Sequence, residues 1–278
     1  MLKGINQWCY PEGTPLEKVF SYSKEAGFDA VELNVNPSGG VGLTMDSTSD
    51  DIKQIKQLAD SYDLQLRSLS TGLFWESPLS DPDESVRQQA RKVIEKQIEF
   101  AALMDIDTVL VVPGVVTKEV AYSDCYHRSQ QELKKVIPFA EKYQIHIGIE
   151  NVWNKFLLSP LEMANYVDEL GSAYVGVYFD VGNVLQFGFP EQWITLLGNR
   201  IRKVHVKDFS NAVGNITGFV PLLAGDVDWI KVNKALNDIG YQDTITAELT
   251  PYTIDPKALA IDTARHMEMI LNSSEKEA

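Results

Sequence analysis

Four residues whose side chains bind divalent cations stand at the ends of short apolar runs in the second half of the chain. Glu150 follows Ile147-Gly148-Ile149, Asp180 follows Val177-Tyr178-Phe179, His205 sits within Val204-His205-Val206, and Glu248 follows Thr246-Ala247. Any one of these carboxylates alone could cap a helix or pair with a loop lysine, but four such groups at consecutive run ends point to a shared site. Three carboxylates about one point repel each other and are costly to desolvate, and a divalent cation offsets that charge. Oxygen-rich ligation with one nitrogen and no thiolate suits one hard ion such as Mn2+ or Mg2+, with Co2+ or Zn2+ as alternatives. Such an ion can chelate adjacent oxygens of a hydroxy-carbonyl compound, polarise the carbonyl and acidify the neighbouring C–H bond, so that an enediolate becomes reachable. Glu150 and Glu248 could then flank the ligand, one removing a carbon-bound proton and the other returning it. Return to the same carbon from the other face is epimerisation; return to the neighbouring carbon is aldose–ketose isomerisation.

The elements that must position these groups alternate strictly. Strand-like runs cover Leu2–Asn6, Ala30–Val35, Leu64–Leu69, Thr108–Val112, Ile145–Glu150, Tyr174–Asp180, Ile201–Val206 and Thr244–Leu249. Helical patterns cover Pro15–Ala26, Asp50–Tyr62, Glu84–Met104, Cys125–Tyr143, Pro160–Leu170, Pro190–Leu197, Trp229–Ile239 and Pro256–Leu271. Ser49 or Asp50, Asp83 and Ser159 with Pro160 fit helix starts, and Gly27, Gly171 and Gly240 fit helix ends. Eight strand-then-helix units predict an α/β chain folded as a single (β/α)8 TIM barrel over residues 1–271, with a flexible tail over 272–278. An open doubly wound sheet would carry Gly-x-Gly-x-x-Gly after its first strand, whereas Gly39-Gly40-Val41-Gly42 follows the second and reads as a loop. In a barrel, chemistry gathers at the C-terminal strand ends. Side-chain alternation sends Ile147, Ile149, Val177, Phe179, Val204 and Val206 outward and turns Glu150, Asp180 and His205 inward.

The chain has 278 residues, 44% of them apolar, enough for one sizeable core. Its net charge of −14 repels phosphate backbones and anionic lipid, which argues against nucleic-acid and membrane partners. Cys9 and Cys125 cannot form a disulfide framework, Met1–Tyr10 lacks a signal-peptide pattern, and no run of about 18 apolar residues occurs. A cytoplasmic protein is expected. Of the remaining histidines, His127 and His266 read as helix-surface residues and His146 as a hydrogen-bonded core residue.

The runs Ile149-Glu150-Asn151, Phe179-Asp180-Val181-Gly182-Asn183, Val204-His205-Val206-Lys207-Asp208 and Ala247-Glu248-Leu249 resemble the xylose-isomerase-like TIM-barrel superfamily, in particular its sugar phosphate isomerase/epimerase branch. Gly27-Phe28-Asp29-Ala30-Val31-Glu32-Leu33 and Gly225-Asp226-Val227-Asp228-Trp229 extend the resemblance over essentially the whole chain. It implies that Glu150, Asp180, His205 and Glu248 bind one Mn2+-like ion, that Glu150 and Glu248 are also the acid/base pair, and that the chain forms a homo-oligomer. The chain departs from the family at three places. Asn154-Lys155-Phe156-Leu157 stands where ketose 3-epimerases commonly carry Asn-Arg-Phe-Glu, and Asn183 where they tend to have His. Both changes argue against free-ketose 3-epimerase activity, while Asn183 is kept as a substrate-binding candidate. Leu222-Leu223-Ala224-Gly225-Asp226 lacks the acid of a related Leu-Leu-Glu-Gly-Asp run, and nothing in the sequence explains Ala224.

The expected partner is a small sugar or sugar phosphate. Lys207 shares the inward parity of His205 and could meet a substrate oxygen or phosphate, or else pair with Asp208 or another mouth carboxylate. Lys155 is a second candidate phosphate contact. Trp8, Trp75 and Trp153 follow the first, third and fifth strands, where they could wall a sugar pocket. Glu32 could bind a substrate hydroxyl or pair within the barrel. A metal-dependent dehydratase of keto-inositol or dehydroshikimate type is the alternative chemistry on this scaffold.

Overall fold

Residues 1–273 are described by the computed structural model of the chain. Its strands are β1 (Leu2–Asn6), β2 (Ala30–Asn34), β3 (Gln65–Ser70), β4 (Thr108–Val111), β5 (His146–Glu150), β6 (Val175–Asp180) and β7 (Ile201–Val206). A two-stranded antiparallel hairpin of β8 (Asp208–Phe209) and β9 (Phe219–Val220) follows, then β10 (Thr244–Ala247). β1 to β7 and β10 pair in parallel in that order, and β10 returns to β1 to close the barrel. The single (β/α)8 TIM barrel is therefore the fold. Each of the eight barrel strands lies within two residues of its expected limits, while the β8–β9 hairpin was not expected.

The helices are α1 (Leu16–Ala26), α2 (Ser49–Ser61), α3 (Glu84–Met104), α4 (Tyr122–Tyr143), α5 (Pro160–Glu169), α6 (Val181–Val184), α7 (Pro190–Leu197), α8 (Trp229–Asp238) and α9 (Pro256–Asn272). Asp83 and Ser159 cap α3 and α5 as expected. The cap of α2 is Thr48, neither Ser49 nor Asp50: its hydroxyl accepts from Asp51 N–H while the Asp51 carboxylate accepts from Thr48 N–H, the reciprocal capping box. Helix α4 starts one turn before Cys125, and α6, immediately after Asp180, carries no sequence periodicity because it is a single turn. The expected tail at 272–278 begins at the last residue of α9, and residues 274–278 lie outside the described residues. No helix among the described residues is long and apolar enough to cross a membrane.

The alternation along the strands has a specific cause. Ile147, Ile149, Val177, Phe179 and Val204 are fully buried on the outer face, beneath the helices. The inner face is polar: Asn6, Glu32, Ser68, Ser70, Tyr178, Asp180, Lys203, His205 and Thr246 are all at most 2% exposed. Gly148 makes room on this axis, since a Cβ there would stand 3.1 Å from Tyr178 Cβ. His146 is half-buried at the start of β5, stacked on Tyr174 with ring centroids 5.2 Å apart; it bonds the Ala173 backbone while its Nδ1 has no hydrogen-bond partner, so the hydrogen-bonded core role expected of it is met in part, at the edge of the core.

An ion cluster closes the floor of the barrel. The Lys203 ammonium, 1% exposed, lies 2.9 Å from Asp107 and 2.7 Å from Asp243, and Arg67 pairs with Asp243 at 3.0 Å. The cluster ties β7 to the entries of β4 and β10 and to β3. Burial works against ionisation of Asp243, but Lys203 and Arg67 outweigh it and hold the carboxyl below its usual range. A depressed folded-state pKa stabilises the fold above the unfolded pKa, and the contribution fades as pH falls. Lys203→Met is expected to cost about 3 kcal/mol of unfolding free energy at neutral pH. Measured by urea unfolding, its gap to wild type should narrow as the pH drops through about 4. A gap of constant size would show that the floor cluster is not its source.

Candidate active site

At the C-terminal end of the barrel, Glu150, Asp180 and His205 end or lie near the end of β5, β6 and β7, and Glu248 stands one residue past β10. Each offers one ligand-type atom, and these four atoms lie within 4.8 Å of one another. His205 Nδ1 is 3.2 Å from Glu150 Oε1 and 3.6 Å from Glu248 Oε2. The cluster expected from the sequence is thus assembled by four consecutive strands of the barrel, and three of its four members are buried.

Each member is held by the residues beside it. The Asn151 carboxamide accepts from Asp180 N–H and donates to Asp180 C=O, both at 2.8 Å, clamping the end of β5 to the end of β6. Asn183 N–H donates to Asp180 Oδ1 at 2.8 Å, the Asn183 side chain donates to Asn151 C=O at 2.9 Å, and the Trp153 indole donates to Asn183 C=O at 3.0 Å. Glu248 is bracketed by Cys9, whose thiol donates to Ala247 C=O at 3.3 Å and accepts from Leu249 N–H at 3.2 Å. Burial pushes the Cys9 thiol up to about 12, which makes it a neutral strap and not a nucleophile. Neither Asn151 nor Cys9 was singled out for this role in the sequence; Asn151 could have been, as the polar residue directly after a ligand.

Glu32 sits below the cluster. Its Oε1 lies 2.6 Å from His205 Nε2, Ser68 donates to its Oε2 at 2.6 Å, and Tyr178 O–H donates to the same oxygen. Of the two roles open to Glu32, pairing within the barrel is the one the structure shows. It is 1% exposed and does not line the cavity. With Nε2–H directed at Glu32, His205 turns Nδ1 toward the carboxylates, where a bound cation would take the place of the Nδ1 proton.

The electrostatics of the cluster are unequal. Burial pushes Glu150 up to about 7 despite the bond from His205. Burial likewise raises Asp180, against the pull of Lys207. It would raise Glu248 too, but Lys207 and His205 hold that carboxyl below its usual range. Burial alone would raise Glu32, but the positive His205 ring and the donors Ser68 and Tyr178 hold it down to about 2. Burial would lower His205, yet Glu32, Glu150 and Glu248 together lift it well above the usual imidazole range.

Lys207, just past β7, lies 3.0 Å from Asp180 Oδ2 and pairs with Glu248. Its ammonium is 5.2 Å from the centre of the Phe219 ring, and its stem passes where any Cβ on Gly182 would be, 2.5 Å from Lys207 Cγ. Asp208 is not its partner. That carboxylate turns away to accept from Phe209 N–H, Val227 N–H and the Trp229 indole. A Cβ at Gly225 would fall 2.3 Å from Asp208 Oδ1, so the Gly225–Trp229 stretch anchors the loop after the hairpin.

A cavity of about 470 Å³ opens above the cluster. Trp8, Trp75, Trp153, Asn183, Lys207 and both glutamates are among its lining residues, as the sequence placed them. Lys155 does not line it; the residue is exposed, at φ +60° in the loop after β5. Leu157 is buried outside the cavity wall and Ala224 is exposed, so neither departure reaches the cavity. Ile216, Phe219, Val220 and Pro221 from the hairpin were not foreseen as wall residues, because no periodic pattern marks strands of two residues.

The family model described as xylose isomerase-like TIM barrel matches residues 20–270. L-ribulose-5-phosphate 3-epimerase UlaE of Salmonella heidelberg is 24% identical over 263 residues, covering 94% of this chain and 92% of that protein. Among solved structures, D-psicose 3-epimerase in the presence of D-fructose superposes with a TM-score of 0.82 at 18% identity, covering 98% of this chain and all of the other. The IOLI protein with a binding zinc atom superposes with a TM-score of 0.80 at 17% identity, covering 98% of each chain. These two likenesses are of fold.

The Glu32–His205 contact generates a test independent of turnover. Glu32→Gln keeps the volume but removes the charge that orients the ring, and is expected to weaken binding of Mn2+ by 10- to 100-fold, roughly, in isothermal titration. Unchanged affinity in a folded variant would show that Glu32 serves the barrel core alone.

Proposed function

The chain belongs to the xylose isomerase-like TIM barrel family, and from that premise we propose that it is a divalent-metal-dependent sugar epimerase working through an enediolate. The observation that carries this reading is the pair Glu150 and Glu248. They reach one four-residue cluster from strands three apart in the barrel order, and both line the same cavity. The relatives named as sugar 3-epimerases support the reaction class.

The cluster fits a metal on its own chemistry. Three carboxylates, among them the fully buried Asp180, share one ammonium and one imidazole, which leaves negative charge for a cation to offset. Glu150, Asp180, Glu248 and His205 Nδ1 would hold the ion, an oxygen-rich set suited to Mn2+, with Mg2+, Co2+ or Zn2+ as competitors. When bound, the ion would polarise the carbonyl of an α-hydroxy ketone and acidify the adjacent C–H bond. One glutamate takes that proton; the C–H electron pair becomes the C=C bond of the enediolate, and the former carbonyl oxygen takes the charge. The other glutamate delivers a proton to the opposite face of the same carbon, and the carbonyl re-forms. Lys207 and Asn183 stand beside the pair as hydrogen-bonding groups for substrate oxygens, and Trp8 and Trp75 wall the entrance and limit water.

Solvent deuterium should therefore enter a carbon-bound position of a ketose in the Mn2+-loaded protein, read by NMR. Glu248→Gln should lower that rate by about 10³-fold, and chelation of the metal should abolish it. Full exchange by metal-stripped protein would refute the mechanism. Label at the carbonyl-derived carbon would mean isomerisation, and a product lighter by one water would mean dehydration.

A further inference from the structure

The cavity has two unlike ends. Its polar groups gather at the cluster: Glu150, Glu248, Lys207 and Asn183. Away from it the wall is aromatic and aliphatic, with Trp8 37% and Trp75 51% exposed and Ile216 67% exposed on the hairpin loop; Thr71 and Thr250 add hydroxyls. Lys207 is the one cation among the described residues that line this cavity, and it is committed to Asp180 and Glu248 under the Phe219 ring. Lys155 points to no part of the wall.

A phosphate ester brings about two negative charges to this setting. Among the described residues, the wall offers it no cation but Lys207, which is already paired, on a chain of net charge −14. Burying an unpaired anion is strongly unfavourable, and the field of an acidic protein slows its approach. An uncharged sugar meets neither penalty. Its C–H faces pack against indole rings while its reacting oxygens reach the cluster. Resting on the epimerase reading above, we propose that the substrate is an uncharged ketose and not its phosphate ester. Of the departures from related sequences, Leu157 and Ala224 do not face the cavity; Asn183, which counted against a free ketose in the sequence, does face it, as an uncharged amide that offers a phosphate no compensating charge.

The test compares free pentuloses and hexuloses with the terminal phosphates of the same sugars, by solvent deuterium incorporation in the Mn2+-loaded full chain. A kcat/KM for the best free ketose about 100-fold above that of its ester is expected. An ester processed as well as or better than its parent sugar would overturn the inference and leave the epimerase reading intact. Exchange into neither class, with Mn2+ binding demonstrated by titration, would overturn both. As a second arm, Ile216→Arg places a cation on the exposed loop of the wall and is expected to raise kcat/KM for the ester by about tenfold. An unchanged ester rate in the folded variant would show that charge is not what excludes the ester, and would overturn the argument.

Discussion

The structure depends on one electrostatic problem, three carboxylates drawn into a buried corner of a barrel. Like charges at such spacing cannot all remain ionised without compensation. The protein supplies part of it: Lys207 above, and the His205–Glu32 pair below, each held by packing that admits no other arrangement. Gly182 must lack a side chain for the Lys207 stem to pass, and Gly148 must lack one for Tyr178 to lie across the axis. Three carboxylates against one ammonium and an imidazole shared with Glu32 still leave negative charge over. That remainder suits an inorganic cation better than another side chain, since a further lysine or arginine would bring a long stem into a space bounded on every side by strand ends.

The compensation continues downward as a connected polar column. The His205 ring lies 4.4 Å from that of Tyr178, Tyr178 and Ser68 share Glu32, and at the floor Lys203 joins Asp107 and Asp243. Most strands contribute outward apolar and inward polar residues, β4 with its inward Leu110 being an exception, which is why period-2 alternation survives in a parallel sheet that is covered on its outside by helices. A barrel with an apolar interior would read as continuous hydrophobic runs. The same alternation that betrayed the strands therefore also reported that the interior was polar.

Much of the fold and of the cluster was legible for this reason. Strand limits, the inward turn of Glu150, Asp180 and His205, and the end position of Glu248 all follow from parity. What could not be read was anything fixed by distance across the barrel. Glu32 is 173 residues from His205, and only closure of the barrel brings them within 2.6 Å. Asn151 next to Glu150 looked like an ordinary loop residue, yet its carboxamide copies a backbone ladder rung between β5 and β6. Asp208, weighed as a partner for Lys207, instead anchors Val227 and Trp229, because it is the next residue along the chain and, as the start of β8, turns its side chain the other way. The hairpin of β8 and β9 was invisible since its strands are too short to carry a period.

This division between parity and closure also separates what the barrel fixes from what its rim decides. The cluster is held by rigid strand ends and by clamps of the Asn151 and Cys9 kind, so its atoms have little freedom, as the proposed proton transfer between two fixed carboxylates would require. The far wall comes from elements that make few bonds to the barrel: the hairpin loop with Ile216, the segment from Leu249 to Pro251, and the exposed Trp75. Residues there can change without disturbing the carboxylates. The choice of sugar is therefore a property of the wall, and the choice of bond a property of the strand ends, with Lys207 the one residue that faces both.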